Sequence, residues 1–299
     1  MTGFDLHMHS TASDGTLAPA TLVELAREQG LLGMALTDHD TIDGLPAAAA
    51  RAQELDFPFI GGIELSTEWQ QRDSCRDVHI LGYWLDPDKM QASGRLQQLR
   101  AARRQRAVEI ARRLDLLGMP VDLDELLRQH DGEQTLGRPH IAQAMVERGY
   151  VDSVRDAFTK WLGRGQPAYV PRPKLEPVEA VQLILAADGV PVIAHPGTGV
   201  PDQLIPTLVR AGVGGIEVYH PEHNRQAEQK YLRIARQFRL AATGGSDFHV
   251  HGPREIGCRV TTAAQLGVLS GYKRQEPHII AAEETERKAA YDQGRDERS

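Results

Sequence analysis

Residues 4–40 read FDLHMHSTASDGTLAPATLVELAREQGLLGMALTDHD, and this run carries the pattern that decides the fold. Phe4–His9 is a short apolar segment, Pro19–Gln29 spaces its apolar residues as a helix does, and Gly33–Thr37 is short and apolar again. Strand, helix, strand is the rhythm of a β/α unit. Imidazoles and carboxylates collect where the strands end: His7 and His9 after the first, Asp14 in the loop that follows, and Asp38, His39 and Asp40 after the second.

Outward from this run the rhythm continues through Leu45–Leu55 as helix and Phe59–Glu64 and Val78–Tyr83 as strands. It changes near Met90 to a long arginine-rich stretch ending at Leu117, followed by helical patterns over Leu123–Arg128, Pro139–Arg148 and Val154–Leu162. The proline-rich QPAYVPRPKLEP at 166–177 cannot continue a helix and marks the return to the first architecture. Helices are then expected at Val178–Ala187, Leu204–Ala211 and Arg225–Phe238, and strands at Val190–His195, Gly214–Tyr219 and Leu240–Gly244. The expectation is an α/β protein: a barrel from residues 1–89 and 171–265, a helical insertion over 90–170, and a polar C-terminal tail over 266–299.

With 41 acidic against 34 basic side chains, the net charge of -7 argues against broad binding to nucleic acid or an anionic membrane surface. The N-terminal MTGFDLHMHS lacks a basic start followed by an apolar run, and no stretch approaches the length needed to span a bilayer, which points to the cytoplasm. Cys75 and Cys258 form no CxxC pair and no disulfide framework, so a bound metal must rely on other ligands.

Such ligands are present. The period of two along a strand turns His7 and His9 to the same side, and Asp14 can fold back over the strand end. His39 ends the next strand, while Asp40 or Asp43 is expected to cap the helix after it. Glu64 closes the apolar run GGIELS, where an unpaired carboxylate would be costly unless it ligates a cation. His79 lies inside DVHILGYW, His195 ends the strand of VIAHP, and Asp247 and His249 share the two-residue spacing in GGSDFH. Taken singly, His79 reads more often as a satisfied core histidine, and SDG as a turn. Together the nine form a set that strand ends would gather at one barrel mouth. Imidazole and carboxylate without thiolate suit manganese, iron or zinc better than calcium or magnesium.

In their order, DLHMHS, SDG, TDHDT, GIELS, DVHILGY, IAHP and GGSDFH resemble the motif series of the PHP (polymerase and histidinol phosphatase) superfamily over roughly Phe4–Val260. The resemblance implies a distorted seven-stranded β/α barrel with two or three divalent cations, manganese before iron or zinc. It implies that His7, His9, Glu64 and Asp247 hold one cation, Glu64, His79 and His195 a second, and Asp14, His39 and His249 a third. A hydroxide bridging two cations would be a competent nucleophile near neutral pH. Asp38 could orient a ligand histidine through a hydrogen bond.

The length, the insertion and the segment EVYHPEHNR further resemble the bacterial group that dephosphorylates nucleoside 3',5'-bisphosphates and includes RNase AM, a 5'-to-3' exoribonuclease. The implied reaction releases the 3'-phosphate and leaves the 5'-monophosphate. The implied partners are a small phosphorylated nucleotide and short RNA 5' ends, with no membrane and no obligate protein partner. Arg138, His140, Lys174, His223 and Arg225 are candidates to receive the second phosphate, arginine through its planar fork. Histidinol-phosphate phosphatase activity and a noncatalytic PHP module are the alternatives. An amidohydrolase also opens on HxH, but the later motifs fit it poorly.

Overall fold

The computed structural model describes residues 3–71, 74–123, 125–126, 137–171, 175–250 and 254–273. Seven strands form one sheet in chain order: β1 (Phe4–Asp5), β2 (Gly33–Leu36), β3 (Phe59–Gln71), β4 (Ser74–Tyr83), β5 (Val190–Ile193), β6 (Gly215–Tyr219) and β7 (Ala241–Gly244). β1, β2 and β3 run parallel, as do β5, β6 and β7. Beyond β1 and β7 the two edges meet: Met8 bridges Phe248, Asp247 N–H donates to His7 O at 2.8 Å, and His9 N–H donates to Phe248 O at 2.9 Å. The sheet thereby nearly closes into a distorted α/β barrel.

Repeated β/α units do not describe the middle of the sheet, because β4 is antiparallel to both β3 and β5. The two arms of the β3–β4 hairpin extend past the apolar runs Phe59–Glu64 and Val78–Tyr83, through the polar residues between them, because an unbroken antiparallel ladder satisfies their backbone groups. Ser66 pairs with His79 and Glu64 with Leu81. Residue parity then places Ile60 and Glu64 on one face of β3, and His79, Leu81 and Tyr83 on one face of β4. Ile60, Leu81 and Tyr83 belong to a buried cluster with Leu6, Ala35, Val192 and Ala241. That apolar layer is a floor beneath the polar residues of the mouth.

Helices α1 (Pro19–Glu28) and α2 (Leu45–Glu54) cover the outside, burying Leu22, Val23, Ala26, Ala48 and Ala52 in one core with Met34, Leu36 and Ile63. The arginine-rich stretch is two helices, α3 (Pro87–Ala92) and α4 (Arg95–Leu116), parted at Gly94, whose φ of 67° favours glycine. After α4 come α5 (Arg138–Glu147) and α6 (Val154–Ala157), the latter running into a π-helical turn at Phe158–Leu162. These elements share a separate apolar cluster that includes Ile110, Leu114, Ile141, Met145 and Leu162. Of Leu123–Arg128, residues 123, 125 and 126 are helical, with Leu126 buried in this cluster, and 124, 127 and 128 lie outside the described residues.

The barrel resumes with α7 (Pro177–Ala186), α8 (Ile205–Arg210) and α9 (Arg225–Phe238). The stretch expected to be a polar tail begins instead as a packed helix, α10 (Ala263–Lys273), with Leu269 fully buried in the barrel floor. Residues 274–299 lie outside the described residues. Among those described, no helix is long and apolar enough to cross a membrane, and Cys75 and Cys258 are free thiols.

Candidate metal centre

All nine sequence-derived candidates come together at the mouth, and Glu64 neighbours five of the histidines. Its Oε1 lies 2.9 Å from His79 Nδ1 and 3.0 Å from His195 Nε2. Its Oε2 lies 3.3 Å from His7 Nε2, 3.2 Å from His9 Nε2 and 3.0 Å from His39 Nδ1. Asp247 Oδ1 stands 3.4 Å from His7 Nε2 and 3.3 Å from His9 Nε2. Asp14 faces the other side, with Oδ1 at 3.3 Å from His249 Nε2 and Oδ2 at 4.0 Å from His39 Nε2. Three groups of donors close enough to share a cation result: His7, His9, Glu64 and Asp247; His9, Asp14, His39 and His249; and His39, Glu64 and His79.

The local chain is built to hold these positions. His195 (φ 22°) and Asp247 (φ 50°) both leave the usual backbone regions, a strain that persists only where the surroundings enforce it. In GGSDFH, a Cβ on Gly245 would stand 2.4 Å from His7 Cβ, so only glycine lets the loop after β7 lie against β1. Glu217, on β6, accepts from His7 Nδ1 at 3.1 Å and from His195 N–H at 2.7 Å. This fixes the His7 ring with Nε2 toward the centre. Sequence reasoning passed over Glu217, yet GGIEVY at 214–219 repeats the GGIE of GGIELS at 61–66 and places a carboxylate at the same point of an apolar strand.

The electrostatics ask for a cation. Burial alone would raise the carboxyl pKa values, yet the surrounding histidines hold Asp14, Glu64 and Asp247 well below the ordinary range. Burial opposes charge on His9 too, but Asp247 and Glu64 outweigh it and lift its pKa to about 9. At His39 burial wins and the pKa falls to about 3. Among the described residues, His7 Nε2, both ring nitrogens of His9 and Glu64 Oε2 are buried with no hydrogen-bond partner. Buried polar atoms are seldom left so.

The spacing of these atoms accounts for it. Donors about 2.0–2.2 Å from one cation lie roughly 3.3–3.6 Å apart in a tetrahedron and about 3 Å apart in an octahedron. The four Nε2-to-carboxylate distances in the first group run from 3.2 to 3.4 Å. The residues present therefore fit a divalent cation.

Two expectations about aspartates are corrected. Asp38 does not bond a histidine: it accepts from Ser10 N–H at 2.7 Å, Ser10 Oγ at 2.7 Å and Ser13 Oγ at 2.6 Å, bracing the loop that joins His9 to Asp14. Neither Asp40 nor Asp43 caps α2, whose N-cap is Gly44 without a side-chain bond. Asp40 accepts from Ser66 N–H at 2.8 Å and from Arg103 of α4.

Two clefts open beside the ligand cluster and share His39 and His79. One, of about 150 Å³, lies against α4 and α5 and is lined by Arg103, Arg106 and Arg138. Arg138 is half-buried there, its guanidinium over the Phe158 ring and only 3.5 Å from Leu162 O. Burial first, then the nearby Arg103 and Arg164 charges, push its pKa down. The other proposed phosphate contacts lie elsewhere. His140 Nδ1 accepts from Gly137 N–H at 3.0 Å at the start of α5. His223 is buried, with Nδ1 on Val218 O at 2.8 Å and Nε2 on Gly197 N–H at 3.0 Å, so both ring nitrogens are already engaged. Arg225 is exposed at the first turn of α9 and lines neither cleft. Lys174 lies outside the described residues.

Comparison with known proteins agrees with this geometry. Residues 5–161 match the sequence model of the PHP domain. The chain is 35% identical over 264 residues, 86% of its length and 91% of the relative's, to the 3',5'-nucleoside bisphosphate phosphatase of Chromobacterium violaceum. It is 38% identical over 252 residues, 82% of its length and 89% of the relative's, to a 5'-3' exoribonuclease of Haemophilus influenzae. A crystal structure from Bifidobacterium adolescentis, of a protein assigned as a metal-dependent phosphoesterase, superposes with a TM-score of 0.83 at 32% identity, over 91% of this chain and 96% of that one.

Proposed function

The chain belongs to the PHP domain family, and from that premise we propose that it removes the 3'-phosphate from nucleoside 3',5'-bisphosphates, leaving the 5'-monophosphate. The observation that carries the reading is the convergence of buried, partnerless donors on His7, His9 and Glu64 at a mouth that adjoins an arginine-lined cleft. In this reading His7, His9, Glu64 and Asp247 hold one divalent cation, Glu64, His79 and His195 a second, and Asp14, His39 and His249 a third, with His9 within reach of the third group as well. Manganese is the preferred occupant, on a donor set of imidazole and carboxylate. Bound there, divalent cations supply Lewis acidity toward the phosphoryl oxygens and a nucleophilic water near neutral pH.

The chain's own residues do the rest. Glu217 keeps the His7 ring in register, Asp38 keeps the loop between His9 and Asp14 closed, and the apolar floor beneath shuts water out from below. Arg138, half-buried and weakly bonded within the protein, is suited to receive the second phosphate beside His39 and His79. Short 5'-phosphorylated RNA is a further substrate, a reading supported by the exoribonuclease relative. A cytoplasmic site of action completes the proposal.

The test is phosphate release, with manganese supplied, from a panel of nucleoside bisphosphates, nucleoside monophosphates, histidinol phosphate and oligoribonucleotides. The expected order puts the 3',5'-bisphosphates first. Preference for histidinol phosphate would overturn the substrate assignment, and an inert protein with full metal content would overturn the enzyme.

A further inference from the structure

The second cleft, above His195 and His249, holds a cation of its own. We propose that Arg254 binds the phosphoryl group that reacts, an inference that rests on the phosphatase reading above. Its Nη1 donates to Asp247 Oδ2 and its Nη2 to Glu222 Oε1, which hold the guanidinium at the cleft wall beside His195, Thr198 and His249. The side chain remains 30% exposed, and these bonds, with a longer one from Nη1 to Asp247 O at 3.5 Å, engage only part of a fork that has five N–H donors.

Arg254 does not occupy a ligand position. Asp247 turns Oδ1 toward His7 and His9 and gives Arg254 the other oxygen. Nor is Arg254 needed to orient that carboxylate, because His220 already does so. The His220 Nδ1 accepts from Glu222 N–H at 3.2 Å, which puts the ring proton on Nε2, 3.3 Å from Asp247 Oδ2. A second donor on the same oxygen is redundant for orientation. It is useful beside an anion entering the cleft, since a planar guanidinium matches two phosphoryl oxygens and stabilises charge that develops on them. Glu222, with its side chain half exposed, serves as the tether that keeps the arm over the cleft.

The assignment separates two arginines by what they recognise. Arg138 answers to the second phosphate, which only a bisphosphate carries, whereas Arg254 answers to the phosphate that every substrate carries. Equilibrium dialysis of inorganic phosphate against manganese-loaded wild type and Arg254→Gln reads this directly, with metal content and thermal midpoint measured on the same samples. We expect phosphate affinity to fall about tenfold to hundredfold in Arg254→Gln, with manganese content and midpoint unchanged. The kcat/KM values for a 3',5'-bisphosphate and a 3'-monophosphate should fall together, and Arg254→Lys should recover part of the loss by keeping the charge without the fork. Unchanged phosphate affinity overturns the proposal, as does manganese lost in step with phosphate, which would make Arg254 a holder of Asp247. A wild type that binds no phosphate overturns the phosphatase reading as well, whereas a phosphate-binding wild type matched by Arg254→Gln overturns this assignment alone.

Discussion

Glu64 touches five histidines through its two oxygens, and its neighbours cannot be altered independently of it. His9→Asn or Asp247→Asn should therefore lower manganese content and turnover together, because each removes a donor from the group in which His7 and Glu64 remain. Metal analysis beside a phosphate-release assay checks this, and normal metal with a near-normal rate in either variant would remove that residue from the centre. Glu217→Gln tests the support instead: manganese affinity should weaken about tenfold to hundredfold, as for other carboxylates that orient a ligand histidine, while the fold stays intact. The nine donors were legible because strand periodicity and strand ends decide which side chains meet. Glu217 was equally legible in its repeat of GGIE, whereas Arg254 was not, because its position depends on the loop that follows Asp247 rather than on a strand.

At the scale of elements, the insertion helices reach into the site through arginines that do different work. Arg103 of α4 is buried against Asp40 and Ser66, tying the insertion to the barrel loop that carries His39. Arg103→Ala would remove a charge-assisted bond to buried Asp40, a loss of about 1.5–3 kcal/mol. Chemical denaturation checks this, and a cost below about 1 kcal/mol would mean that water or a neighbour replaces the guanidinium. Arg138→Ala should lower kcat/KM about tenfold or more for a 3',5'-bisphosphate and little for a 3'-monophosphate. Arg225→Ala, at the exposed start of α9, should do neither. An equal loss on both substrates in Arg138→Ala would move that residue to the reacting phosphate. The helices were readable from their periodicity, but the direction of β4 was not. Its apolar run is the same whichever way the strand pairs, and the hairpin arms that fix the pairing are polar.

For the whole molecule, the centre is a seam as well as a site. His7 and His9 follow β1, Glu64 lies in β3, His79 in β4, His195 follows β5, and Asp247 and His249 follow β7, so cations held among them join both edges of a barrel closed by short backbone contacts, Leu6 N–H to Gly244 O, Asp247 N–H to His7 O and His9 N–H to Phe248 O. Ionised carboxylates packed against histidines at this closure make the folded state sensitive to what neutralises them. Binding that favours the folded chain stabilises it by about 2.7 kcal/mol at a hundredfold excess over the dissociation constant. For a chain of this size that corresponds to a rise of roughly 4 °C in the unfolding midpoint. Manganese should therefore raise the midpoint progressively after chelator treatment, and calcium at the same concentration should raise it less, since the donor set is rich in imidazole. His9→Asn should flatten the response, because His9 belongs to two of the three donor groups, whereas Arg138→Ala should leave it whole. A midpoint indifferent to manganese in the wild type would mean that the donors are gathered for hydrogen bonding alone. The four partnerless atoms on His7, His9 and Glu64 argue against that outcome.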